Sequence, residues 1–184
     1  MTSYVFDQGK IVPESSVYLS FRVKAFNYGL ALIDGIRAYW NPQQQQLYVF
    51  RLWDHLVRFQ QAIQTVQLAI PYDVEAMTHA VLELLRYHRF RQNVYIRPIA
   101  YRGEKGLLPD FAGSKDRLLI YCITEGIEPT QAVYTARVSS WTRVSSEAIP
   151  SWLKIAGAYV NSALSYTEVA QEGADRAILL TPEG

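Results

Sequence analysis

Apolar and polar positions along the chain recur with two different periods. Near the amino end, "YVFDQGKIV" sets two short apolar stretches around a polar tip, Asp7 to Lys10, and reads as a β-hairpin. "IRAYW" (Ile36 to Trp40) and "LYVF" (Leu47 to Phe50) flank the polar turn "NPQQQQ" and read as a second hairpin. From about Trp53 the period lengthens. Leu56, Phe59, Ile63 and Val66 fall at i, i+3, i+7 and i+10, one face of an α-helix. "DVEAMTHAVLELLRYHRF" offers Asp73 as a cap and continues as a second amphipathic helix. "NVYIRPIAYR" and "RLLIYCI" read as strands, joined by "GEKGLLPDFAGSKD", a loop with three glycines and a proline.

The polar stretch "TEGIEPTQA" interrupts this pattern, which then restarts. A strand in "YTARVSS", a loop, a segment around Lys154, a helix over Tyr159 to Gln171 and a strand in "RAILLT" follow. The layout predicts an α/β (α+β) architecture of two domains: a small amino-terminal domain over 1–123, a linker over 124–133 and the start of a second α/β domain over 134–184. Some 50 residues with two or three strands and one helix bury little core alone. "TPEG" at the end reads as a turn. The expectation is that further sheet is supplied beyond Gly184, or by a second polypeptide, and that without it this segment is mobile and self-associates.

Composition adds exclusions. Of 184 residues, 49% are hydrophobic and 19% charged, enough for a packed core. The net charge of +1 gives no global reason to expect a nucleic acid or an anionic membrane as partner. One cysteine, Cys122, rules out an intrachain disulfide and fits a reducing cytoplasmic location. No apolar run approaches the ~20 residues of a membrane span. "MTSYVFDQGK" has neither the basic start nor the apolar core of a signal peptide. Thirteen tyrosines and four tryptophans suit pockets and interfaces, where an apolar body needs a polar handle.

Three places carry chemistry. In "SWLKIAG", an extended chain puts Trp152, Lys154 and Ala156 on one face and anchors Leu153 and Ile155 in the core. A desolvated amine there has a lowered pKa and suits Schiff-base chemistry; the alternative is a lysine whose stem covers apolar surface while its ammonium reaches water. Arg51, His55 and Arg58 form a basic stripe at i, i+4 and i+7, which reads first as a solvated helix face and otherwise as a phosphate receptor. In "VYIRPIAYR", Tyr95, Arg97 and Ile99 share a strand face, and an arginine between aromatics receives carboxylates or pairs with an acidic neighbour. His55, His79 and His88 have no metal-ligand spacing with Cys122 or acidic pairs, so no metal site is expected. Walker and dinucleotide glycine patterns are absent, and the serines of "WTRVSSEAIP" lack a His/Asp partner set. The basic "RYHRFRQ" reads as charge favouring a helix end.

"FNYGLALIDGIRAY", "VFRLWDHLVRF", "VYIRPIAYRGEKGLL" and "SSWTRVSSEAIPSWLKIAGAYVNSALSYTEVAQEGADRAILLTPEG" together resemble the class IV pyridoxal-phosphate aminotransferases, most of all the branched-chain amino-acid type. The resemblance covers nearly the whole chain. It implies a two-domain fold-type IV enzyme with pyridoxal 5'-phosphate as cofactor. Lys154 matches the catalytic lysine that forms a Schiff base with the cofactor and shuttles the substrate proton. Tyr159 matches the tyrosine on the cofactor's phenolic oxygen, and Arg58 the arginine on its phosphate. Tyr28, Arg37, Tyr95 and Arg97 fall where the family lines its substrate pocket, and "GLLPDF" matches a loop that reaches the neighbouring subunit.

Two departures stand out. "IDG" replaces the family's "FEG", so Ile33 takes an aromatic position and Asp34 that of a glutamate. The linker is also shorter and lacks the family's aromatics. The resemblance further implies that the acid on the cofactor's pyridine nitrogen lies beyond Gly184. The function implied is transamination of leucine, isoleucine and valine with 2-oxoglutarate, by a homodimer or higher homo-oligomer. Alternatives are a D-amino-acid aminotransferase or aminodeoxychorismate lyase of the same fold, or a non-catalytic fragment that needs a second polypeptide.

Overall fold

The computed structural model describes residues 3–124 and 133–184. The chain separates into two compact units, Met1–Ile127 and Glu128–Gly184. Most of the stretch expected as a linker lies outside the described residues.

The first unit is an antiparallel sheet covered by helices. Its strands are β1 (Tyr4–Asp7), β2 (Lys10–Pro13), β3 (Ala31–Ile33), β4 (Ile36–Asn41), β5 (Gln46–Val49), β6 (Val94–Arg102) and β7 (Asp116–Ile123). They lie in the order β2-β1-β7-β6-β4-β5, with β3 also on β6. Both expected hairpins form, β1 with β2 and β4 with β5. Three helices accompany the sheet: α1 (Lys24–Tyr28), α2 (Leu52–Thr65) and α3 (Val74–His88). The apolar stripe of α2 is buried through Leu56, Phe59 and Ile63, with Val66 just after it. Asp73 caps α3 by accepting the Ala76 N–H at 2.8 Å, one of the four amides a helix start leaves without a partner. α3 packs on β1 and β7, and α2 on β3. Ile36, Ala38, Val94, Ile96, Leu118 and Ile120 complete the core on that face.

One connection organises this sheet. Ile33 lies opposite Ile99, and Ile36 opposite Ile96. Between them, Asp34–Gly35 faces Arg97–Pro98. Proline has no N–H to donate, so the ladder opens at this point. The Asp34 N–H still donates to the Pro98 carbonyl at 3.2 Å. Strand alternation turns Asp34 toward the helices and Gly35 toward the face of Arg37, Tyr95 and Arg97. Arg51 does not extend a stripe along α2. It precedes the helix in a left-handed conformation, φ 48°, and pairs with Asp54 at 2.8 Å.

The described part of the second unit is a βαβ element. β8 (Ala136–Val138) and β9 (Arg176–Ile178) pair in parallel across α4 (Tyr159–Gln171), which packs on both. The strands are shorter than the apolar runs that announced them. Asp175 closes the unit by accepting both the N–H and the hydroxyl of Thr135, at 2.8 and 2.7 Å. "SWLKIAG" is not extended: the Leu153 N–H reaches the Pro150 carbonyl at 3.0 Å, that of Ile155 the Leu153 carbonyl at 2.8 Å, and a 3-10 turn over Ala156–Ala158 leads into α4. A local turn satisfies these amides from within the segment, and that overrides the alternation.

Candidate active site

Leu153 is buried and fixes the turn, while Lys154 beside it is half-buried, not enclosed as the extended reading required. Its ammonium donates to the hydroxyl of Tyr159, the first residue of α4, at 3.0 Å. The nitrogen also lies 5.7 Å from the centre of that ring. Lys154 and Tyr159 line a cavity of about 300 Å³ with Arg143, Ile149, Ile155 and Ser162. No carboxylate is among the described residues that line it.

The cavity wall is held by α4. The Asn161 side-chain carbonyl accepts the Val144 N–H at 3.1 Å, and its amide donates to the Thr142 carbonyl at 3.0 Å. Two turns on, Glu168 accepts both hydroxyls of Ser139 and Ser140 and the Ser140 N–H. The Ser139 hydroxyl, then that of Ser140, holds the Glu168 carboxyl below the usual carboxylate range. Sequence reasoning missed both residues, because a polar position on an exposed helix face looks the same whether or not a loop folds over it.

In the first unit, Arg97 donates to the Tyr95 hydroxyl at 2.5 Å and lies 5.1 Å from the centre of its ring. Arg37 sits directly across the sheet from Tyr95. These three share one face, as the alternation predicts. Gly35 leaves the space the Tyr95 ring uses: a Cβ there would come within 2.4 Å of the hydroxyl oxygen. Tyr28 is elsewhere engaged. Its hydroxyl donates to the Leu107 carbonyl at 2.6 Å, tying α1 to the loop before β7. The same loop is held by buried Lys24, which pairs with Asp110 and donates to the Ala112 carbonyl at 3.2 Å.

Arg58 points at Asp34. Its Nη2 is 2.7 Å from both carboxylate oxygens and its Nε 3.2 Å from Oδ2. His55 Nδ1 lies 3.2 Å from Asp34 Oδ1 and 3.1 Å from Arg58 Nη2. The basic pair therefore converges on an acid inside the apolar run "ALIDGI". A lone acid among apolar residues, at the place of the family's glutamate, was the sequence signal for it. Arg58 Nη1 makes no hydrogen bond among the described residues, and the Arg58 side chain is 43% exposed. Burial pushes the Cys122 thiol up to about 12, so it is not a nucleophile. Among the described residues, no cluster of three His, Cys, Asp or Glu side chains could hold a metal ion.

The chain is similar to known proteins along its whole length. It is 38% identical over 183 residues to a probable branched-chain-amino-acid aminotransferase of Aquifex aeolicus (strain VF5), covering 98% of this chain and 58% of the relative. It is 29% identical to a branched-chain-amino-acid aminotransferase of Pseudomonas aeruginosa, covering 98% of this chain and 59% of that one. Among solved structures, it matches the branched-chain aminotransferase of Thermoproteus uzoniensis, crystallised with norvaline, with a TM-score of 0.93 and 34% identity, over 100% of this chain and 61% of that one. The branched-chain amino acid aminotransferase of Thermobaculum terrenum, in its PLP-form, gives a TM-score of 0.88 and 29% identity, over 100% and 60%. The chain thus spans roughly 60% of the length of these relatives. The amino-transferase class IV family model matches residues 31–184, and the chain belongs to the class IV aminotransferase family.

Proposed function

We propose that this protein transfers the amino group of leucine, isoleucine or valine to 2-oxoglutarate, with pyridoxal 5'-phosphate as cofactor. One observation carries the reading: in a class IV chain, the Lys154 amine meets the Tyr159 phenol at 3.0 Å on the wall of a cavity. The residues fit the group. Lys154 has no carboxylate partner among the described residues, so its nitrogen can meet a carbonyl carbon, and the neighbouring phenol can bond an oxygen beside it. The Arg58 fork fits a phosphate.

When bound, pyridoxal 5'-phosphate supplies the aldehyde that carries the amino group and the electron-poor ring that weakens the substrate Cα–H bond. Lys154 Nζ takes the Cα proton, acting as general base. The Tyr159 hydroxyl holds that nitrogen and limits the directions its lone pair can take. Arg58 binds the phosphate. Arg97, steadied by Tyr95, receives the substrate carboxylate, with Arg37 beside it on the same sheet face.

The partner proposed is a second copy of the chain. Tyr18 and Leu107 are 81% and 90% exposed, and Phe21, Phe26 and Leu108 are exposed with them. The Tyr28–Leu107 bond and the Lys24–Asp110 pair tie α1, which carries Phe26, to the loop that carries Leu107 and Leu108. Apolar surface of this kind is stabilised when an equivalent surface covers it. A cytoplasmic location is the setting proposed, consistent with a lone, buried thiol. Among the described residues, no helix is long and apolar enough to cross a membrane.

The test is chemical. The protein is incubated with pyridoxal 5'-phosphate, reduced with borohydride and digested, and the modified peptide is identified by mass. Label on Lys154 is expected, and label spread over other lysines sinks the assignment. Amino transfer from L-leucine and not from D-alanine separates the branched-chain reading from its D-amino-acid alternative.

A further inference from the structure

Asp34 has a side chain only 2% exposed, yet it carries a charge that is costly to bury alone. The fold meets that cost with three donors and a histidine ring nitrogen. Gly35 N–H reaches Oδ1 at 2.6 Å, Arg58 Nη2 reaches both oxygens, Arg58 Nε reaches Oδ2, and the His55 ring closes over Oδ1. One ring nitrogen of His55 faces both partners: it accepts from Arg58 in one protonation form and donates to Asp34 in the other. Arg58 is thus gripped along one edge, by Nε and Nη2, while Nη1 is left over and nearly half of the side chain stays exposed. A free arginine must lose rotamer freedom before its fork can meet an anion. This one has lost it already.

We infer that Asp34 is a positioning residue, which sets the Arg58 fork in one orientation for a phosphate monoester. The inference rests on the reading that Arg58 takes the phosphate of the cofactor, and it adds the group that makes Arg58 able to do so. A pair that serves only to neutralise Asp34 predicts the opposite sign. Removing the acid would then free the guanidinium and tighten its hold on any anion.

The experiment compares binding of pyridoxal 5'-phosphate with binding of pyridoxal, which lacks the phosphate, by absorbance titration of the protein freed of cofactor. Arg58→Ala tests the underlying reading. It should weaken the phosphate ester at least about ten-fold and leave pyridoxal unchanged. Asp34→Asn keeps the shape and removes the charge. About a ten-fold loss for the ester, none for pyridoxal and recovery in Asp34→Glu are expected. Arg58→Lys keeps the positive charge and cannot make the two-point pairing, so the same loss is expected there, independent of whether Asp34→Asn folds. If Arg58→Ala binds the ester normally, the phosphate role of Arg58 falls and the inference with it. If Arg58→Ala weakens the ester while Arg58→Lys, or a folded Asp34→Asn, binds it as tightly as the parent protein or more so, only the inference is overturned.

Discussion

Gly35 and Tyr95 occupy one space. A methyl group on Gly35 would stand 2.4 Å from the Tyr95 oxygen and 3.0 Å from the ring carbon that bears it. That oxygen is the acceptor for Arg97. Gly35→Ala should therefore push the ring aside and break the Arg97–Tyr95 bond without touching the core. A charge-assisted bond of this kind is worth about 1.5–3 kcal/mol, so KM for leucine should rise by about ten- to a hundred-fold. Affinity for pyridoxal 5'-phosphate should stay the same. Steady-state kinetics with a parallel cofactor titration checks both, and an unchanged KM would remove Tyr95 and Arg97 from substrate binding.

Arg102 and Asp116 form an ion pair at 3.1 Å with both side chains fully buried. Arg102 also donates to the carbonyls of Gly113 and Gln67, and Asp116 accepts the Ala69 N–H. Burial raises the Asp116 carboxyl above its usual value, outweighing the Ala69 N–H and the Arg102 charge. Arg102→Leu leaves this acid without a counter-charge and should cost about 3–5 kcal/mol in urea unfolding. The sign with pH follows from the raised value. The folded state holds the proton more tightly than the unfolded state, so stability falls as pH climbs from about 3.9 through the raised folded value, then levels off. The variant should extend that window upward and lose more at pH 8 than at pH 5. Equal losses at both would show that Asp116 does not become the stranded charge.

Lys24 and Asp110 latch the loop that carries Leu107 and Leu108. The Lys24 hydrogen bond, then the Ala112 N–H, holds the Asp110 carboxyl below its usual value. A depressed folded value means that the latch is fully present above about pH 4 and weakens as pH falls through the lower folded value. Asp110→Asn should open the loop at neutral pH. Limited proteolysis between Gly106 and Ala112 would then speed up while cleavage elsewhere does not change. If the loop resists equally in both proteins, other contacts hold it.

Asn161 makes two bonds to the segment bearing Arg143. Asn161→Ala should leave α4 formed and let the Val144 amide exchange with solvent about ten-fold faster, the equivalent of one hydrogen bond lost. Hydrogen exchange read by mass on the peptide around Val144 decides it. No change there would mean that Glu168 alone fixes the wall.

Local patterns in the sequence were reliable where the cause is local. The 3–4 spacing of Leu56, Phe59, Ile63 and Val66 marks a buried stripe, and Asp73 ahead of its run marks a cap. The Lys154 segment shows where such patterns stop. Five residues of alternation suit an extended chain, but the amides of Leu153 and Ile155 bond within the segment and the turn after Pro150 forms instead. α1 was invisible because its first residue, Lys24, is held by Asp110, 86 positions away. The Asp34–Arg58 pair spans 24 positions and depends on where α2 crosses the sheet. Charge and periodicity named Arg58 as a candidate anion receptor, but the acid that aims it needed the fold.

A strand has parity, and the two residues between β3 and β4 use both values of it. Asp34 serves the helix side and Gly35 the opposite side, with Ile33 and Ile36 in register before and after. Adding or deleting one residue here would exchange the two faces for everything downstream in β4. The acid would leave Arg58, and Ile36 would turn out of the core. Only a change of side chain at constant length leaves both faces of the sheet in place at this connection.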